Sequence, residues 1–193
     1  MAIFFTADTH FGHLNIIKHC RRPFKTLEDM NETLILNWNA CVNEDDHVYI
    51  AGDFAWRGGL ENAMQIVKRL KGIKHLAIGN HDKKFLKHAE YRDQFAQIDQ
   101  MLFVGLEEGR TIVCHYPMLS WNGMERGTWH VYGHIHNNKD KENPAFAALM
   151  QMEKALNASV DICGFKPVTF SELIEYNKIF KRGGYHAEME VNT

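Results

Sequence analysis

The chain has 193 residues, 45% of them hydrophobic and 24% charged, and a formal net charge of -2 at pH 7. Those values fit one globular domain spanning 1–193 with a sizeable core, and they exclude disordered and collagen-like classes. A near-neutral chain has no broad basic face, which argues against extended nucleic acid as a partner, and no apolar run approaches the roughly 18 residues of a membrane span.

In chain order, Ala2 to Ala7 is a short apolar run ending at Asp8, and it reads as a buried strand feeding a polar loop. Thr26 to Val42 carries a helical stripe of Leu27, Met30, Leu34 and Trp38, with Thr26 as N-cap and Asp29 three residues on. A second strand, His47 to Ala51, stops at Gly52-Asp53. Gly58-Gly59 interrupt the chain before a second helix, Leu60 to Lys71, which closes on basic residues and Gly72. A third strand, Lys74 to Ile78, runs into Gly79-Asn80-His81-Asp82, and Lys83 to Gln97 reads as a third helix. Met101 to Leu106 and Thr111 to Cys114 flank a polar turn and predict a hairpin. His130 to Tyr132 is a short strand ending at Gly133-His134, and Ser171 to Arg182 is a last helix capped by Thr169 or Ser171.

Met1 to Phe5 meets Asp8, His10 and His13 too soon for the apolar stretch of an export signal. Cys20, Cys41, Cys114 and Cys163 form no C-x-x-C pair, which predicts reduced thiols and a cytoplasmic setting. The compositional anomaly is histidine, with 12 in the chain, and imidazole is the commonest neutral metal ligand. Many of those histidines fall where strands end. At least five predicted strands are followed directly by Asp, Asn or His, and α/β sheets bind ligands outside the carboxyl ends of their strands.

The strand-end residues, in order, are Asp8-Thr9-His10, Gly52-Asp53, Gly79-Asn80-His81-Asp82, His115 and Gly133-His134-Ile135-His136. This series resembles the calcineurin-like metallophosphoesterase family, whose motifs are D-x-H, G-D, G-N-H-D/E, a lone H and G-H-x-H. The resemblance implies a four-layer α/β/β/α sandwich, where the residue pattern alone supports an α/β core. It also implies two divalent metal ions, Mn²⁺ first and Fe, Zn²⁺ or Ni²⁺ as alternatives. Carried over position by position, Asp8, His10 and His136 would hold one ion and Asn80, His115 and His134 the other, with Asp53 bridging. Carboxylate, amide oxygen and imidazole suit such ions without any thiolate. A pair about 3.5–4 Å apart lowers the pKa of a bridging water toward about 7, and the resulting hydroxide attacks phosphorus. The resemblance gives His81 the role of stabilising the transition state or protonating the leaving oxygen; Asp82, next in the chain, is a separate candidate for orienting it.

The implied activity is hydrolysis of a small or nucleotide-like phosphomonoester or phosphodiester, with a non-catalytic scaffold or a nuclease as the alternatives. The protein-phosphatase branch extends the second motif to G-D-x-x-D-R-G, whereas here Trp56 stands where the acid would fall, which argues against a phosphoprotein substrate. Arg57 survives from that pattern and suits a phosphate clamp, and His13 and Asn15 are further candidates for substrate contact. Arg21-Arg22-Pro23 reads as a solvated turn, with a phosphate contact lining the pocket as the alternative, and Asp161 as a late strand or turn feature rather than a ligand. Trp121, Met124 and Trp129 fit a base-stacking wall or core packing equally. Whether the chain assembles with further copies is not readable from this pattern.

Overall fold

The computed structural model describes residues 1–56, 59–138 and 142–183. The first half contains β1 (Ile3–Thr6), α1 (Leu14–His19), α2 (Leu27–Cys41), β2 (His47–Ile50), α3 (Leu60–Arg69) and β3 (Ile73–Ala77). A 3₁₀ turn (Asp82–Lys87), α4 (Ala89–Arg92), β4 (Gln97–Asp99), β5 (Met101–Leu106) and β6 (Gly109–Cys114) follow. The rest is a second 3₁₀ turn (Met124–Arg126), β7 (Trp129–Tyr132), α5 (Pro144–Gln151), β8 (Ala155–Asn157), β9 (Val168–Thr169) and α6 (Phe170–Lys181).

One sheet has the order β4-β3-β2-β1-β9 and is parallel except for β9; the other has the order β5-β6-β7-β8 and is parallel except for β5. From β1 to β3 the chain always steps the same way, so right-handed crossovers leave α2 and α3 on one face. The period-two alternation of strands then sorts the core into layers. Phe4, Val48, Ile50 and Leu76 pack against Met30, Leu34 and Trp38 of α2 and Ala63, Ile66 and Val67 of α3. Their neighbours Phe5, Ala51 and Ala77 point the other way, into a second core with Leu102, Val104, Val113, Val131 and Leu156 of the opposing sheet. On that sheet's far side Ile112, Tyr132 and Ala155 meet Trp121 and Leu149 of α5. Helices, sheet, sheet and helix make the expected four-layer sandwich, and α6 adds Phe170, Leu173 and Phe180 to the inter-sheet core.

Local signals explain the ends of the longer helices. The Thr26 hydroxyl accepts from the Asp29 amide at the start of α2, and Thr169 and Glu172 form a reciprocal capping box at the start of α6. The expected helix from Lys83 to Gln97 is not formed. It is replaced by the 3₁₀ turn, an extended His88 (φ -99, ψ 122), the short α4 and then β4. Phe85 and Tyr91 both belong to the helix-side core. On one continuous helix, six residues at 3.6 per turn would set them roughly 120° apart, so only a broken chain delivers both. α5 escaped the sequence reading although Asn143 caps it and Pro144 opens it.

Candidate metal centre

Five strands deliver the motif residues to one edge of the two sheets. β1 leads to Asp8 and His10, β2 to Asp53, β3 to Asn80 and His81, β6 to His115, and β7 to His134 and His136. Backbone hydrogen bonds of 3.0 Å tie these loops together, from Asp8 N to the Gly52 oxygen, His10 N to the Asp53 oxygen and Gly133 N to the His115 oxygen. Among the described residues seven non-glycine positions have positive φ, and five of them are Asp8, His10, Asp53, His134 and His136. Asp and His are enriched in that region relative to most residues, yet such a concentration at one edge marks a site under constraint.

The geometry centres on Asp53. Its Oδ2 lies 3.5 Å from His10 Nε2 on one side and 3.4 Å from His115 Nε2 on the other, while Oδ1 accepts from the His81 amide at 2.9 Å. Asp8 sits below, with both carboxylate oxygens accepting from the His134 amide at 3.0 Å. Ligand atoms of Asp8, His10 and His136 lie within 4.8 Å of one another, as do those of Asp8, Asp53 and His115. His115 Nε2 is also 3.0 Å from Asn80 Oδ1 and 3.2 Å from His134 Nδ1. Both ligand sets implied by the motifs are therefore brought together, with Asp53 between them. Asp8, His10, Asp53 and His115 form a buried floor, and Asn80 and His134 are exposed at the rim.

The donor set fits a cation. His115 Nδ1 lies 2.9 Å from the Ala51 carbonyl, which only accepts, so Nδ1 carries a proton and Nε2 is the atom turned toward the centre, beside Asp53 and Asn80. Among the described residues the buried His10 Nε2 has no hydrogen-bond partner, and it lies 3.5 Å from a carboxylate oxygen. Burial pushes the Asp53 carboxyl up, but the hydrogen bond and charge of His115, with His10 and the His81 amide, outweigh it and hold the pKa at about 2. Burial keeps Asp8 above the usual carboxylate range and His10 well below the usual imidazole range. At His136 the Asp8 and Asp161 carboxylates overcome burial and push the pKa up to about 11, the same field that favours a cation there.

Several expectations change. Arg22 is no solvated turn: its side chain is 0% exposed and paired with Asp161, itself 1% exposed. Asp161 is held by Arg22 Nε at 2.8 Å and in turn accepts from His136 Nδ1 at 2.7 Å and from the Ser159 hydroxyl at 3.0 Å. Ligand atoms of Cys20, His136 and Asp161 also lie within 4.8 Å of one another, but Asp161's oxygens are already committed to these three donors. The Asp82 carboxylate holds the Gly79, Asp53 and Phe54 amides at 2.8, 2.9 and 2.9 Å, which gives it the task of shaping two ligand loops. His13 is buried, hydrogen-bonded ring to ring with His10 at 3.2 Å and stacked on Trp56 at 3.7 Å, and it orients His10. Trp56, in the position of the missing acid, sets its ring edge-on to His81 at 4.2 Å. Asn15 is exposed on α1, and Arg57 lies outside the described residues. Trp121 is a core residue whose indole donates to the Thr128 carbonyl, and Trp129 is partly buried, packing edge-on against Phe170 at the margin of the inter-sheet core.

The Asn157-Ala158-Ser159-Val160-Asp161 segment carried a signal, since polar residues alternate as the chain leaves β8. Arg22 carried none, because its partner is 139 residues away. What the fold and edge define is an α/β sandwich with a clustered carboxylate–imidazole centre suited to divalent metal. A model of the calcineurin-like phosphoesterases matches residues 1–163, and the chain belongs to that family. It is 33% identical over 183 residues to an uncharacterised protein of Methanocaldococcus jannaschii, covering 93% of this chain and 94% of that one. It is also 34% identical over 80 residues to the gene 66 protein of Mycobacterium phage L5, covering 40% and 38% of the two chains. The solved structure of an Aquifex aeolicus protein of unknown function superposes with a TM-score of 0.68 at 26% identity, covering 90% of this chain and 97% of that one. Among the described residues no helix is long and apolar enough to cross a membrane.

Proposed function

We propose that the chain is a dinuclear phosphoesterase that hydrolyses a small or nucleotide-like phosphomonoester or phosphodiester. The observation that carries this reading is the placement of Asp53 Oδ2, 3.5 Å from His10 Nε2 and 3.4 Å from His115 Nε2, each ring belonging to a different ligand set. Asp8, His10 and His136 would hold one ion, Asn80, His115 and His134 the other, and Asp53 both; Mn²⁺ is the first choice, with Fe, Zn²⁺ and Ni²⁺ as alternatives. When bound, such a pair supplies charge neutralisation for the ester oxygens and lowers the pKa of a water for attack.

The chain's own residues do the rest. Ala51 fixes the His115 tautomer and Asp161 that of His136, so both rings present Nε2 inward. His81 has a side chain 30% exposed, its Nε2 3.8 Å from Asp53 Oδ2, at the rim where a leaving oxygen would depart. An imidazole there suits proton donation to that oxygen. Arg57 stays in the proposal as a phosphate clamp on its motif position alone, and so does Asn15 as a substrate contact. The free cysteines support a reducing, cytoplasmic setting.

The test is hydrolysis of an aryl phosphomonoester and an aryl phosphodiester by metal-stripped protein restored with Mn²⁺, Zn²⁺ or Mg²⁺, with bound metal counted on the same sample. Two ions per chain and metal-dependent turnover are expected, and the ratio of the two rates assigns the ester class. Two ions without turnover on either ester would favour a scaffold or a narrow substrate range. A chain that takes up no metal under any condition would overturn the reading.

A further inference from the structure

Arg22 uses every donor it has. Nε and one Nη2 proton reach the two Asp161 oxygens at 2.8 and 3.0 Å, and the second Nη2 proton reaches the Asp8 carbonyl at 2.7 Å. Nη1 donates to the Thr9 carbonyl at 3.0 Å and toward the Met30 sulfur at 3.5 Å. All five N–H groups of a guanidinium are thus occupied inside the protein, an arrangement the three donors of a lysine do not reproduce. Through Asp161 the same network reaches the His136 ring, and Asn157 Nδ2 holds the His136 carbonyl at 2.8 Å. The network therefore grips the backbone of Asp8 and both the backbone and ring of His136, whose φ values are 56° and 52°. His13 supports His10, the third member of that set, at 3.2 Å.

The other set has less behind it. His115 is backed by a neutral carbonyl, that of Ala51, rather than a carboxylate. Asn80 and His134 are exposed. A carboxylate behind a ligating imidazole raises its basicity and fixes its direction, and losing such a partner typically costs about 10- to 100-fold in metal affinity.

We propose that Arg22 and Asp161 are positioning residues that make the Asp8–His10–His136 position the tight metal site and leave the Asn80–His115–His134 position the exchangeable one. This rests on the dinuclear reading above. The experiment is a calorimetric Mn²⁺ titration of metal-free wild type, Asp161→Asn and Arg22→Lys, with chelator competition to separate the two constants. Wild type is expected to bind two ions with well-separated constants. In both variants the tighter constant weakens about 10- to 100-fold while the weaker one is unchanged, a selective effect that general loss of stability does not produce. A second readout is the electron paramagnetic resonance of Mn²⁺-loaded protein. At one equivalent of added Mn²⁺, wild type leaves little signal from the free ion and both variants leave more, because only the tighter constant has weakened. Should a single variant fail to fold, Arg22→Met/Asp161→Leu removes both buried charges together and carries the same expectation. An unchanged tighter constant, or equal weakening of both, overturns this inference and leaves the dinuclear reading intact. Wild type without metal binding overturns both.

Discussion

Gly133 offers the sharpest test of why a glycine precedes the last pair of candidate ligands. Its φ is not positive, so alanine meets no backbone strain there and any cost is a matter of space. A Cβ on Gly133 would lie 2.8 Å from the Ala51 carbonyl oxygen, 2.8 Å from the Ala7 Cβ and 2.9 Å from Asp8 Oδ2. Ordinary carbon contacts lie near 3.5–4.0 Å, so gaps of roughly 0.6–1 Å must open on three sides. Ala7 and Ala51 are fully buried between the sheets and have no side-chain torsion through which to yield, which leaves Asp8 as the neighbour that can move. Overpacking of this kind costs about 1–3 kcal/mol, and at about 2–4 °C per kcal/mol for a chain of this size the melting temperature of Gly133→Ala falls by about 2–12 °C. Movement of Asp8 also breaks its 3.0 Å hydrogen bonds with the His134 amide and displaces a shared carboxylate. The assay is thermal unfolding of metal-free protein together with Mn²⁺ titration. A variant that melts within about 1 °C of wild type and binds metal normally would refute the steric argument.

Other perturbations separate the roles of neighbouring groups. Asp53→Asn removes the charge shared between the two imidazole sets, and turnover is expected to vanish with metal affinity lowered; near-normal hydrolysis would exclude Asp53 as the bridge. His81→Ala is expected to slow hydrolysis by about 10²–10⁴ with metal content unchanged, and loss of metal would mean that His81 serves as a ligand. Acid should destabilise the metal-free protein through His130, whose burial, outweighing backbone contacts at Ile112 and Tyr116, lowers its pKa from 6.5 to about 4. A depressed imidazole contributes stability above pH 6.5 that is lost as pH falls toward 4, and 2.5 units at about 1.36 kcal/mol each give roughly 3 kcal/mol. The stability difference between wild type and His130→Leu should shift by that amount across this window, and a pH-independent difference would count against it.

The parts of this molecule that were readable in the sequence are those with a local cause. Strands of four to six residues that end in Asp, Asn or His announced both themselves and the edge where they converge, and Thr26 and Thr169 announced helix starts. Residues whose cause lies far along the chain were not readable. Arg22 next to Pro23 resembles any polar turn until the chain returns 139 residues later with Asp161. Asp82, inside a motif, was visible as a residue but not in its task, because the amides it holds belong mainly to another loop. The break at His88 was hidden for a related reason: Lys83 to Gln97 has acceptable helix propensity, and only the need to seat Phe85, Tyr91 and Phe95 in one core ends it.

The unread residues explain how the readable ones hold their places. Positive φ at a non-glycine residue costs about 1–2 kcal/mol, so Asp8, His10, Asp53, His134 and His136 together oppose folding by roughly 5–10 kcal/mol. That is comparable with the whole net stability of an ordinary domain, about 5–15 kcal/mol, so the strained loops require dedicated support. Asp82 supplies it for the Asp53 loop with two charge-assisted hydrogen bonds, a third holding Gly79 in its own loop, and Asp8 supplies it for His134 through its amide. Arg22 and Asp161 supply it for Asp8 and His136, where a bound cation between the two would add a further tie. Binding free energy that depends on the folded arrangement is also folding free energy. The loops should therefore be the first part of the metal-free protein to exchange amide hydrogens, and the part whose exchange slows most on adding Mn²⁺. Uniform protection across the whole chain would mean that the strain is absorbed elsewhere.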